Sequence, residues 1–193
     1  MTNSTQQQPA AQAIEAAHRL RLQGQVLLED QPAQAAVCFR RAYKRFCQAW
    51  GPDHPDSSEA ATFLFCSLLK AGSFAAAEPI IRTAVIDTRS RIFGEEHENT
   101  TKAMVSLAVS LIAQNKPASA EPVLQQVLAV RRRVGGAGHM DTVLVMTQLA
   151  RVCLSLSKFS DAAQLYREVR GQKREGGKGA PGRRAGVEKV VDL

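Results

Sequence analysis

A right-handed α-solenoid of four antiparallel helix pairs is the fold that this sequence of 193 residues predicts, on three observations. The runs "GPDHPDS" at 51–57, "GEEHENT" at 94–100 and "GAGHMDT" at 136–142 each set a histidine three positions after a glycine. The glycines Gly51, Gly94 and Gly136 stand 43 and 42 residues apart, and so do His54, His97 and His139. A second set of landmarks, Ala35, Ala77, Ala120 and Ala162, recurs at 42, 43 and 42. Self-similarity at a fixed period of about 20–50 residues is the mark of a stacked array. Composition agrees: hydrophobic residues are 45% but aromatic ones only 5%, which suits helices packed through small side chains and argues against a β-sandwich.

The elements follow in order. The first unit, 11–50, carries helices at about 11–28 and 32–49. In the second, 51–93, Ala61, Leu64, Leu68 and Leu69 form an apolar stripe over 57–70, and Gly72 ends that helix. A second helix over 74–92 carries Ala77, Ile80, Ile81, Ala84 and Val85. Pro79 lies early in it, and Pro122 takes the equivalent place one unit on, where a proline removes few hydrogen bonds. The third unit, 94–135, places helices at 99–114 and 118–132, and the fourth, 136–170, at 141–156 and 160–170. The four landmark alanines are read as crossing points, because helices approach to about 8–10 Å only over small side chains. Residues 1–10 and the basic, glycine-rich tail 171–193 are expected to be disordered; the tail holds six basic residues against three acidic ones, a net of +3 out of +7.

The histidines suggest a metal, but geometry argues against it. Residues one repeat apart are separated by about 10 Å, whereas zinc ligands must converge within about 2.0–2.2 Å of one point. The runs are therefore read as turns, with glycine making the bend and Asp53, Asp56, Ser57, Asn99, Thr100 and Asp141 capping the next helix. Cys38, Cys47, Cys66 and Cys153 form no CxxC pair and are read as small apolar residues. No GxSxG, GxxxxGK[ST] or HExxH motif occurs, so no catalytic residue, metal or cofactor is assigned. Basic runs at Arg40, Arg41, Lys44 and Arg45 and at Arg131, Arg132 and Arg133 lack interleaved aromatic residues, which argues against specific nucleic-acid recognition. The triple arginine is explained by the negative end of its helix. No apolar run spans a bilayer and no targeting segment is evident at the N-terminus, so a cytoplasmic location is expected.

The units resemble the 42-residue tetratricopeptide repeats of the kinesin light chain family. The resemblance rests on Leu107-Ala108, Ala120 and Leu124 in the third unit, Leu149-Ala150, Phe159 and Ala162 in the fourth, and Leu64, Gly72, Phe74, Ala77 and Ala84 in the second. The first keeps Leu22, Ala35, Phe39 and Ala42. The resemblance implies a non-catalytic scaffold or adaptor that binds a partner protein or peptide in a concave groove. Counting along the repeats, that groove takes Leu20 and Gly24; Glu59, Thr62, Cys66 and Lys70; Thr101, Val105 and Val109; and Val143, Thr147 and Arg151. The lining is mostly apolar with Lys70 and Arg151 as isolated cations, which suits a partner with apolar and acidic groups. Where related repeats hold peptide-clamping asparagines, this chain has Thr62 and Phe63, Val105 and Ser106, and Thr147 and Gln148. The other readings are a kinesin light chain-like cargo adaptor, a weak RNA or acidic-surface binder, and an enzyme of unrecognised type. The last unit is followed by no helix with a polar outer face, so self-association through that end is a further expectation, as is a longer parent array.

Overall fold

The computed structural model describes residues 4–176, with side chains from 11 to 172. It forms eight antiparallel helices and, among the described residues, no strand. They are α1 (Ser4–Leu27), α2 (Pro32–Trp50), α3 (Pro55–Lys70), α4, α5 (Glu98–Ala113), α6 (Pro117–Gly135), α7 (Met140–Ser155) and α8 (Phe159–Gly176). Helix α4 has two α-helical ends, Phe74–Pro79 and Thr88–Phe93, joined by a π-helical stretch, Ile80–Asp87. Each helix packs on its neighbours in the chain, so the main core runs from Ala35 to Val169, with a smaller cluster of Ala17, Ala42, Phe46 and Ala60 at the first unit. The four landmark alanines are buried within the pairs, as their size requires.

Both chain ends are more helical than composition suggests. Residues 4–10 continue α1, where Gln6, Gln7, Gln8 and Ala10 favour helix, and residues 171–176 continue α8. The rest of the tail, 177–193, and residues 1–3 lie outside the described residues.

The π-helical stretch has a source in the spacing of the landmarks. Seventeen positions separate Ala77 from Gly94, but sixteen separate Ala35 from Gly51 and Ala120 from Gly136. Helix α4 thus carries one surplus residue between two fixed contact points, and wider i→i+5 turns absorb it. Pro79 alone does not produce the change, because Pro122 sits inside a regular α6.

The three histidine runs are one structure built three times. In each the glycine adopts φ of 79° to 90° and the histidine closes the next helix's N-terminus. The cap is the histidine itself and not the acids and hydroxyls beside it: its Nδ1 accepts the backbone N–H of Asp56, Asn99 or Asp141 at 3.1–3.3 Å. Ser57 and Thr100 instead donate back to the carbonyls of Gly51 and Gly94, at 2.7 and 2.9 Å, which locks the bend. Trp50 and Phe93, four residues before their histidines, pack on them with ring centroids 4.2 and 4.7 Å apart, the first pair tilted and the second stacked. At the third turn that place belongs to Gly135, where a Cβ would lie 3.3 Å from His139. Replacing His97 by Ala is expected to cost about 1 kcal/mol and lower the midpoint of thermal unfolding by about 2–4 °C, with Asn restoring most of it. An unchanged melting curve would remove the capping role.

Candidate functional site

Three joints connect the four units, and each is built from the end of one pair and the start of the next. Between the second and third units, Pro55, Thr62 and Phe63 of α3 face Arg89, Ile92 and Phe93 of α4 and Asn99 of α5, around a cavity of about 610 Å³. Asp53, Ser58 and Glu59 complete its rim. One joint further on, the equivalent residues Glu96, Glu98, Thr101, Arg131, Val134, Gly135 and Asp141 enclose about 390 Å³.

Each joint sets a guanidinium beside the start of the next helix, Arg89 and Arg131 from the second helix of their pair and Arg21 from the first, and each is partnered differently. Arg131, largely buried, donates from Nη1 to the Asp141 carboxylate at 3.0 Å. Asp56, at the same place in the first joint, is met by Arg21 of α1, which also pairs with Glu59. In the middle joint the position is Asn99. Arg89 donates to the Asn99 carbonyl and the Thr62 hydroxyl, both at 3.1 Å, and has no ion-pair partner among the described residues. Burial pulls its guanidinium below the ordinary value, against the influence of Cys66. The Cys66 thiol is in turn pushed up by burial, with Arg89 and Lys70 opposing.

The other basic residues of the turns are neutralised. Arg91 donates to Asp53 at 2.6 Å and holds that carboxyl below the usual carboxylate range, and Arg133 pairs with Glu96 in the same way one unit on. Arg132 pairs with Glu168. The triple arginine therefore makes three specific ion pairs, while Arg132 and Arg133 also lie in the last turn of their helix as its polarity favours. Outside the turns, Lys116 and Lys158 reach back to Glu78 and Glu121 of the preceding pair at 3.4 and 2.6 Å.

The residues expected to line a groove separate into groups. Glu59 and Thr62 line the middle cavity, with Thr62 bonded to Arg89. Cys66 and Val105 are half-buried against the core, and Val109 is exposed. Thr101 is buried, donating its hydroxyl to the Glu98 carbonyl at 3.0 Å, and Val143 is buried with it. Thr147 donates to the Val143 carbonyl at 2.8 Å. Lys70 is not isolated, since it pairs with Glu29 at 2.5 Å, whereas Arg151 is exposed and makes no ion pair among the described residues.

In the first unit the count is one residue out. Four residues link α1 to α2 but three link α3 to α4, so Gly24 matches Ser67 and Arg21 matches Leu64. Gly24 accordingly lies under the Phe39 ring and faces no groove, Leu20 packs partly against the small cluster around Phe46, and Leu22 is exposed. Arg89, Ile92 and Phe93, which the groove expectation does not include, lie on the second helix of their pair. The alternation of Asp56, Asn99 and Asp141 at one repeat position is the signal that would have found them.

The fold and its joints define a class, that of helix-pair repeat arrays with recesses between units. Within it, residues 107–175 match the tetratricopeptide repeat family. No curated protein sequence matches the chain. Among solved structures, the chain is similar to nearly identical TPR-like repeats of a Podosopora anserina protein described as a kinesin light chain, at 18% identity and a TM-score of 0.68, covering 86% of this chain and 76% of that one. It is also similar to BtubC (BKLC) from P. vanneervenii, at 16% identity and a TM-score of 0.72, covering 92% of this chain and 70% of that one. The fold is thus that of kinesin light chain-like TPR repeats. No helix of the described residues is long and apolar enough to cross a membrane, and no group of three metal-ligating side chains is found among them.

Proposed function

We propose that this chain is a non-catalytic protein-interaction scaffold that holds a segment of a partner protein along the first helices of its units and at the joints between them. The observation that carries the reading is the middle cavity, which sets exposed Ile92 and Phe93 beside the half-buried cation Arg89. Stacked repeats keep such recesses in register, which suits an extended partner better than a small substrate. Apolar Val105 and Val109 and the exposed cation Arg151 extend the surface, with Lys70 already paired to Glu29, and they favour a partner with apolar and acidic groups. A cargo adaptor is a narrower form of the same reading, supported by the likeness in fold to kinesin light chain-type repeats.

The test is capture of partners by the wild-type chain beside a Lys70→Glu, Arg151→Glu double variant. Reversing both charges is expected to deplete the captured set at least about fivefold, on the scale of one lost charged contact. A set that is the same in identity and amount would remove the groove reading.

A further inference from the structure

A second series of clefts runs between the second helices of successive pairs, and its members are not alike. Leu64 and Ile80 stand in the first, Leu107 and Val123 in the second, and Leu149 and Leu165 in the third, each at the same repeat positions. The volumes fall from about 810 to 530 to 250 Å³. Charge changes with them. Asp87 and Glu95 line the second cleft, whose Arg82 is bonded to Glu78 at 3.2 Å; Glu121, Asp161 and Glu168 line the third, where Glu168 holds Arg132. No acid lines the first, and its cations Arg40 and Lys44 make no ion pair among the described residues.

The first cleft has an apolar floor and one polar edge. Leu64, Pro79 and Ile80 form the floor, with Pro52 and Ala76 beside them, and neither proline carries an N–H. The edge belongs to α2, where Arg40, Tyr43, Lys44 and Cys47 follow the i, i+3, i+4, i+7 spacing and so share one face. Burial, with Cys47 adding to it, pushes the Tyr43 hydroxyl up to about 12, so at neutral pH it is a donor. Arg91 and Asp53 act on that hydroxyl with opposite signs and are paired with each other.

Beyond the scaffold reading and independent of it, we propose that the first cleft binds a free long-chain fatty acid, its acyl chain on Leu64, Pro79 and Ile80 and its carboxylate against Arg40, Lys44 and Tyr43. The cleft of about 810 Å³ falls within the range of small-molecule sites, about 300–1,000 Å³. Two cations and a phenol with no acid among them call for one negative group, which a guanidinium binds in a planar fork, and the floor calls for methylenes. A peptide is disfavoured, because its backbone N–H and C=O groups would be buried on a floor that offers them no partner. A nucleic acid or polyphosphate would use the cations and leave the floor in water.

The probes are decanoate, decan-1-ol, acetate and vesicles of phosphatidylcholine with phosphatidylserine, each titrated into the full chain while the Tyr43 ring and Ile80 methyl signals are followed by NMR. Decanoate is expected to bind saturably and at least about tenfold more tightly than decan-1-ol, the gain of one charge-assisted hydrogen-bonded group. Acetate and the vesicles should leave both signals in place. An Arg40→Gln, Lys44→Gln double variant should lose that factor for decanoate and keep its affinity for the alcohol, a split that a loss of fold would not produce. Ala76→Glu, at an exposed position on the opposite edge, gives this cleft the acid that the other two have. It should melt as wild type does and lose decanoate by the same factor. The proposal is overturned if decanoate leaves the two signals unmoved, if decan-1-ol or acetate binds as tightly, or if the double variant binds decanoate as wild type does. Binding to the vesicles alone overturns it in favour of a membrane surface. Partner capture through Lys70 and Arg151 involves neither edge of this cleft, so either reading can fail without the other.

Discussion

Phe39→Ala is expected to lower the free energy of unfolding by about 3–5 kcal/mol, the usual cost of emptying a fully buried aromatic position. The ring is wholly buried and lies so close to the backbone of Gly24 that a Cβ there would be 2.9 Å from it. Its other side stacks on Phe63 of the next unit with an interplanar angle of 11°. One side chain therefore fills the space between α1 and α2 and also joins the first unit to the second. Arrays of this kind are stabilised by nearest-neighbour interfaces, so the loss should be felt first as fraying of the first unit. Denaturant titration gives the total, and hydrogen exchange should show protection falling in α1 and α2 before α5 to α8. A loss below about 1 kcal/mol would mean that this joint does not depend on the ring, since such values belong to sites of little burial.

Ala120→Leu tests the crossing points. Ala120 is fully buried where α5 and α6 meet, and three more carbon atoms there must separate the two helices or force the new side chain off its preferred rotamers. Overpacking of this kind costs about 1–3 kcal/mol, and more where the opposing element is backbone. Ala129→Leu, on the exposed side of the same helix, is the control and should lie within about 0.5 kcal/mol of wild type. Equal effects from the two would show that size at the crossing is not what positions the helices, whereas a large difference would extend to Ala35, Ala77 and Ala162 by repetition.

Much of this fold was legible because the repeat is written twice, in the glycine and histidine turns and in the crossing alanines. Gly72, Asn115 and Ser157 show how strongly the array imposes its geometry, since all three adopt a left-handed backbone of φ 57° to 70° at the same place. The local chemistry was harder to read. A histidine is an uncommon helix cap, so the acids and hydroxyls beside it drew the assignment, and only the distance from Nδ1 to the following N–H identifies the acceptor. The register of α1 was misplaced because its loop is one residue longer and Arg21, whose long stem takes a leucine's place, carries no apolar signal. The pairing of Arg131, Arg132 and Arg133 with three acids from three different elements depends on contacts that no spacing along one helix contains. The middle cavity was half visible. Glu59 and Thr62, expected in a concave groove, are two of its lining residues, but Arg89, Ile92 and Phe93 come from the second helix of the pair, where only comparison of one joint with the next shows that an acid is missing.

The π-helical stretch of α4 has a consequence for how such a chain can vary. One residue added to a regular helix turns everything beyond it by about 100°, which would carry Arg89 and Phe93 away from the joint. Here the surplus is taken up between Ile80 and Asp87, and Gly94 and His97 still make the same bend as their counterparts. The middle of the helix acts as a slack length between two anchored ends. Helix length in this array is therefore not a rigid quantity but a tolerance, and the joints are insulated from changes in residue number that occur away from them.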